Sequence, residues 1–285
     1  MKEFFMENYI CGTKFQNLAD VKLHRNGQHD GDINNCKTVY CHTHDFKYVY
    51  KKIEKIKNDV VLITHNSDGA IKNSKEGDRI GENDADYALK PDNVKYWFGQ
   101  NIECDEQKNL IQLPIGLENR YCFDYDKAEM LYNELENSED YIPKNRIYVN
   151  FNLRTNPLER NTALNTAYNL LKNKGENFVH IRMGSNGERY NEYLSDITES
   201  TYVLSPRGNG LDCHRTWETL YLGRIPIVKN LQSLLSSLPH INVDSWDELL
   251  KINYHHRLFN PFDYRKLWMP YWRFYIEHSA NRNNS

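Results

Sequence analysis

No stretch of the chain approaches the roughly 20 consecutive apolar residues that a membrane-spanning helix needs. The first dozen residues hold no apolar core of the length a secretory leader requires. A soluble, cytoplasmic protein without signal peptide or membrane anchor is therefore expected. Charge of one sign is also missing: 36 Lys and Arg stand against 39 Asp and Glu. Without a basic excess there is no field to hold a nucleic-acid backbone, so any anion site must come from local placement. The six cysteines, Cys11, Cys36, Cys41, Cys104, Cys122 and Cys213, include no C-x-x-C pair. They are too dispersed for a disulfide scaffold and read as free thiols in a reducing compartment. The G-x-G-x-x-G dinucleotide fingerprint is absent as well, which disfavours an NAD-dependent dehydrogenase. Internal repeats and low-complexity blocks are lacking.

What the chain does have is aromatic bulk, 13% of residues, and an alternation of strand and helix patterns. Lys37–Cys41 reads as a strand and Asp45–Lys57 as a helix, with Phe46, Val49, Tyr50, Ile53 and Ile56 at helical spacing. Asp59–Thr64 (DVVLIT) is a continuous apolar run suited to a parallel strand buried on both faces. Val94–Phe98 and Leu110–Ile115 are further strands, and the polar stretch Asn66–Lys90 between them is mostly loop. A second series follows: strand Arg146–Asn152, helix Pro157–Lys172, strands Asn177–Met183 and Ser200–Ser205, helix Asp212–Leu222, strand Arg224–Lys229, strand Ile241–Val243 and helix Trp246–Ile252. Such alternation argues for parallel sheets. The expected division is an N-terminal Rossmann-like domain over 1–142, a second Rossmann-like domain over 143–253 and an aromatic helical tail over 254–285. In that tail Leu267, Trp268, Tyr271, Trp272 and Tyr275 form one stripe, interrupted near Pro270.

The segment Tyr202–Val228 (YVLSPRGNGLDCHRTWETLYLGRIPIV) carries the chemistry. A strand ends at Ser205, a turn with Arg207, Gly208, Asn209 and Gly210 follows, and a helix opens near Asp212. Glycines let a ligand approach the backbone, and the helix start offers unpaired N–H groups and a positive dipole end. Arg207 can pair bidentately with a phosphate. On the helix, Cys213, Trp217, Leu220 and Tyr221 share one side, and Leu211, His214, Arg215, Glu218 and Leu222 another. Asp212 to Glu218 spans roughly 9 Å. That suits a diphosphate at the helix mouth and a ribose whose two hydroxyls donate to Glu218. A second strand-end loop, with Arg154, Thr155 and Asn156, is expected to face the same ligand, while Arg160 reads as a solvated helix residue.

These residues resemble the C-terminal signature of the exostosin-like glycosyltransferases, family 47: Ser205-Pro206-Arg207-Gly208, then Arg215 and Glu218, then Gly223-Arg224-Ile225-Pro226-Ile227-Val228. The segment NFNLRTN at 150–156 and the strand-end His65-Asn66-Ser67-Asp68 are also similar to the short soluble enzymes of this family in large algal DNA viruses. The resemblance implies an α/β fold of GT-B type. In that fold two Rossmann-like domains flank a cleft, and a C-terminal helix packs back across it. It implies a UDP-sugar donor as co-substrate, a glycan hydroxyl as acceptor, inversion at the anomeric carbon and no essential metal or other cofactor. The viral likeness points to a pentose such as xylose. The chain is shorter than the animal exostosins and has no membrane anchor like theirs, so a trimmed N-terminal domain is expected.

Inverting transfer needs a general base for the acceptor hydroxyl. The strand-end loops of the N-terminal half supply candidates: Asp68 first, then His65 and Asp45. His44 follows, as a residue lining the acceptor side, and Glu118 is placed there with it. Asp84-Ala85-Asp86, the one Asp-x-Asp, lacks a preceding apolar strand and reads as an exposed acidic loop. His42 and His44 alone are weak metal ligands. Two other classes stay open: an inert nucleotide-sugar-binding module, and a sugar-nucleotide epimerase or hydrolase of similar fold.

Overall fold

The structure, a computed structural model, describes residues 1–120, 126–138, 141–183, 189–254 and 262–282. Cys122 and part of the aromatic tail lie outside them. The chain divides into two compact units. The first comprises Ile10–Ile115 and Trp268–Ser285, the second Met1–Tyr9 and Gly116–Leu267.

In the first unit the elements are β1 (Val21–Leu23), β2 (His29–Asp30), β3 (Thr38–His42), α1 (Phe46–Glu54), β4 (Val60–His65), β5 (Val94–Gly99) and β6 (Leu110–Gln112). The sheet order is β2-β1-β3-β4-β5-β6. All pairings are parallel except the β1–β2 hairpin. All six residues of β4 are buried, because the strand is central and covered on both faces. Val60 and Leu62 pack with Phe46, Val49 and Ile53 of α1. Side chains alternate along a strand, so Val61 and Ile63 point the other way, where the short helix Gly12–Gln16 meets β4. The Asn66–Lys90 stretch is mostly turns, as expected, with one two-residue parallel ladder between Ile71–Lys72 and Ala85–Asp86.

The second unit holds α2 (Lys127–Asn137), β7 (Lys144–Val149), α3 (Pro157–Lys174), β8 (Val179–Ile181), α4 (Tyr190–Thr198), β9 (Ser200–Leu204), α5 (His214–Tyr221), β10 (Ile225–Lys229) and β11 (Ile241–Val243). Its five strands are all parallel, in the order β8-β7-β9-β10-β11. The chain leaves β7 for β8 on one side, then crosses to β9 on the other. The order therefore reverses between β7 and β9, and ligands in such sheets bind outside the carboxyl ends of the strands at that point. The core gathers Ala163, Ala167 and Leu170 of α3 against Ile147, Val149, Leu204 and Ile227 of the sheet.

The last helix, α6 (Met269–Arg282), returns to the first unit and packs on β4 and β5. Pro270 is its second residue, where a missing N–H costs nothing, so it starts the helix and does not interrupt it. Trp272, Ile276 and Ala280 form its buried stripe, while Tyr275 is 39% exposed. The division differs from a boundary at 142/143. The helix α2 is capped by Asp126, which accepts from the N–H groups of Ala128 and Glu129, and it packs on α4 of the second unit. The chain thus carries two Rossmann-like α/β units, each built on a largely parallel sheet. Among the described residues no helix is long and apolar enough to cross a membrane.

Candidate functional site

The two loops at the reversal point are those after β7 and β9, and they are bound to one another. Asn156 caps α3 and donates through Nδ2 to the carbonyl of Gly208 (2.9 Å). Arg160, one turn into α3, donates from Nη1 to the Asn152 carbonyl (2.6 Å) and from Nε to the Arg207 carbonyl (3.1 Å). It is only 5% exposed, so the expectation of a solvated residue is corrected: Arg160 ties the two strand-end loops together. A side chain at Gly208 would put its first carbon 3.1 Å from Arg160 Nη2 and 3.3 Å from the Thr155 methyl. The close approach of the loops thus leaves little room for a side chain there.

Two guanidinium groups, those of Arg160 and Arg215, meet over Phe151 at this junction, and Arg207 lies in the turn whose carbonyl Arg160 holds. Arg207 folds back over its own turn, donating from Nε to the Gly210 carbonyl (3.1 Å) and from Nη2 to that of Asn209 (3.2 Å). Arg160 and Arg215 lie over the Phe151 ring at 5.9 and 5.5 Å. Burial and the charge of Arg215 push the Arg160 guanidinium below its ordinary range. Burial works against the charge on Arg215 too, but Cys213, Tyr193 and Glu218 outweigh it and raise its pKa. The Nε of Arg215 is buried without a hydrogen-bond partner, and Nη1 reaches only the Cys213 sulfur (3.7 Å). Arg215, more than Arg207, is thus the cation with capacity left over. Arg154 is exposed, Thr155 half-buried and Asn209 exposed. Ser205 is buried, with its hydroxyl turned to its own strand at Val203.

The helix α5 begins at His214, two residues later than expected. Asp212 is used as an acceptor for the Trp217 indole N–H (2.8 Å). The polar side of α5 is not solvated. Glu218 is 5% exposed and accepts one hydroxyl on each oxygen, from Tyr190 (2.7 Å) and Tyr193 (2.6 Å) of α4. Neither tyrosine was singled out in the sequence. The signal was present, since Tyr190, Tyr193, Leu194 and Ile197 recur at helical spacing.

Glu118, expected on the acceptor side, belongs to the second unit. Its carboxylate lies 3.4 Å from Nε2 of His214. The other imidazole nitrogen, Nδ1, is 2.7 Å from the Gly116 carbonyl. Both contacts suit an imidazolium donating twice. Burial lowers the His214 pKa, but the bond to Glu118, its charge and the Gly116 carbonyl outweigh this and raise it above the ordinary value. A raised folded-state pKa gives stability that is fully present below the unfolded value, about 6.5, and is lost as pH rises through the folded value. The urea midpoint of the wild type should therefore fall relative to that of His214→Gln as pH rises from about 6 to about 9. Parallel titrations of the two proteins check this.

The base candidates lie at strand ends of the first unit. His65 is buried at 1% exposure. Its Nε2 bonds the Pro114 carbonyl (2.9 Å) and its Nδ1 accepts the Asn66 N–H (2.7 Å), while the ring stacks on Phe15 at 5.1 Å. With both nitrogens engaged it has no site for a substrate proton, so His65 is corrected to a core residue. Asp45 is 6% exposed and lies 3.6 Å from His44. His44 bonds the Ser67 hydroxyl (3.0 Å) and stacks on His42 at 5.3 Å. Asp68 is exposed.

Asp84 and Asp86 do not form an exposed loop. Asp84 pairs with Lys72 (2.9 Å) and accepts the Ala70 and Gly81 N–H groups. Burial pulls its pKa upward, but these partners outweigh it and hold the carboxyl below its ordinary range. Asp86 accepts from Ser74 and Ala88. Among the described residues no three His, Cys, Asp or Glu side chains group so that they could hold a metal ion. The five described cysteines are free thiols.

No protein-family model matches the chain, and no curated protein matches it in sequence. The exostosin resemblance therefore rests on the motif residues alone. Among solved structures the chain is similar to the UDP-GlcNAc 2-epimerase from Methanocaldococcus jannaschii, with a TM-score of 0.39 and 10% identity, covering 85% of this chain and 77% of that one.

Proposed function

We propose that the chain is an inverting glycosyltransferase that moves a sugar from a UDP-sugar to a hydroxyl of a glycan acceptor. The observation that carries this reading is the pair Arg160 and Arg215 over Phe151 at the linked loops of the β7/β9 reversal, with Arg207 in the turn between β9 and α5. A diphosphate there meets preset positive charge, which stabilises it as it leaves. Glu218, one turn along α5 from Arg215, takes the ribose hydroxyls. The exposed carboxylate of Asp68 takes the acceptor proton. The motif resemblance favours a pentose such as xylose as the transferred sugar.

Guanidinium charge in this position does the work that a divalent ion does in metal-dependent transferases. UDP is therefore expected to bind equally well in excess chelator, as calorimetry would read. Binding that appears only with magnesium or manganese overturns the metal-independent donor site. Product analysis with a UDP-sugar separates the classes. Transfer to an added glycan supports the transferase. Free sugar, or a UDP-sugar altered at one carbon, assigns a hydrolase or an epimerase. Tight binding without any turnover assigns a binding module.

A further inference from the structure

The Glu218 carboxylate is held from outside its own helix. Tyr190 donates to Oε1 and Tyr193 to Oε2. The two rings, one turn apart on α4, stack at 5.7 Å with an interplanar angle of 25°. The Lys127 ammonium sits 5.0 Å over the Tyr190 ring. Tyr193 also packs against Tyr148 at 6.2 Å, and the Tyr148 hydroxyl accepts from Asn150 (2.8 Å). Burial, reinforced by the nearby Glu218 charge, keeps the Tyr193 hydroxyl protonated well beyond the usual range. It thus stays a donor under all ordinary conditions.

A carboxylate offers about four lone-pair positions, two on each oxygen. The tyrosines use one on each. One acceptor position remains per oxygen, and the carboxylate cannot rotate without breaking two short hydrogen bonds. A pair of acceptors fixed in this way matches two adjacent hydroxyls of one ring.

We infer that Tyr190 and Tyr193 are positioning residues that fix Glu218 so that its remaining acceptor positions take the 2′- and 3′-hydroxyls of a ribose, making the site selective for ribonucleotides over 2′-deoxyribonucleotides. This rests on the reading of Glu218 as the ribose carboxylate. The probes are UDP and 2′-deoxy-UDP, titrated by calorimetry into the full chain and its variants Tyr190→Phe, Tyr193→Phe, the double variant and Glu218→Ala. Phenylalanine keeps the ring and its stacking and removes only the hydroxyl.

Wild type is expected to favour UDP by about ten-fold or more, the value of a hydrogen bond to a charged group. In the double variant UDP should weaken by about ten-fold and 2′-deoxy-UDP, which keeps only the 3′-hydroxyl contact, by less, so that the preference for UDP shrinks. Each single variant should show part of that loss. A merely structural role would weaken both nucleotides alike and keep their ratio, which overturns the inference. So does an intact ratio in the tyrosine variants when Glu218→Ala abolishes it, and in that case the role of Glu218 survives. A ratio near one in wild type, with UDP affinity unmoved by Glu218→Ala, overturns the ribose reading itself.

Discussion

Replacing Arg215 with methionine should weaken UDP binding by about ten- to a hundred-fold, the value of charge-assisted hydrogen bonds to one phosphate oxygen or two. The reason lies in what Arg215 lacks. Its Nε is buried and unpartnered, and among the described residues its side chain donates only to the Cys213 sulfur. Burial costs this guanidinium its solvation, but its neighbours, Glu218 among them, offset that cost and hold the charge in the empty protein. The unliganded variant is therefore expected to lose some stability, and the stabilisation that UDP adds by mass action should shrink as well. The affinity for UDP is the measurement that separates ligand contact from structural support. A variant that loses stability and keeps its UDP affinity would make Arg215 a packing residue. Arg207→Met should have the smaller effect, because that guanidinium already serves the carbonyls of its own turn.

Much of this site was legible in the sequence, because its parts are local. DVVLIT declared a strand covered on both faces, and β4 is buried at every position. The Gly-rich turn and the helix after it were visible in Tyr202–Val228, as was the matching loop at 150–156. Hydrogen bonds between positions about 50 residues apart were not legible. Arg160 reads as a solvated helix residue until the Arg207 carbonyl is found beside it. His65 reads as a strand-end base until its Nε2 is found hydrogen-bonded to the Pro114 carbonyl. The helix α4 escaped notice because four apolar positions are thinly spread in YNEYLSDIT. Its tyrosines acquire meaning only against Glu218, 28 and 25 residues away. Sequence periodicity reports which face of an element is apolar. It does not report which polar partner that face will meet.

Asp68→Asn is expected to lower transferase turnover by roughly 10²–10⁴-fold, the usual contribution of a general base, and to leave UDP binding near wild type. Inversion requires a group that takes the acceptor hydroxyl proton as the sugar leaves UDP. In the first unit the candidates separate by their surroundings. Both His65 nitrogens are committed to the backbone. Asp45 is buried beside His44. Asp68 follows β4 on a loop braced on either side, where the Ser67 hydroxyl meets His44 and the Gly69 N–H and Asn101 donates to the Ser67 carbonyl. The loop is fixed, and Asp68 is exposed on it. Asparagine keeps the shape and removes the basic oxygen. As a surface change away from the core it should move stability by no more than about 0.5 kcal/mol. The measurements are turnover of a UDP-sugar with a glycan acceptor, UDP affinity, and a urea midpoint on the same preparation. Full turnover in the variant removes Asp68 from the role and moves it to Asp45, whose buried carboxylate would then need an opening to the acceptor. Loss of turnover together with a large fall in the midpoint would instead make Asp68 a residue that holds its loop.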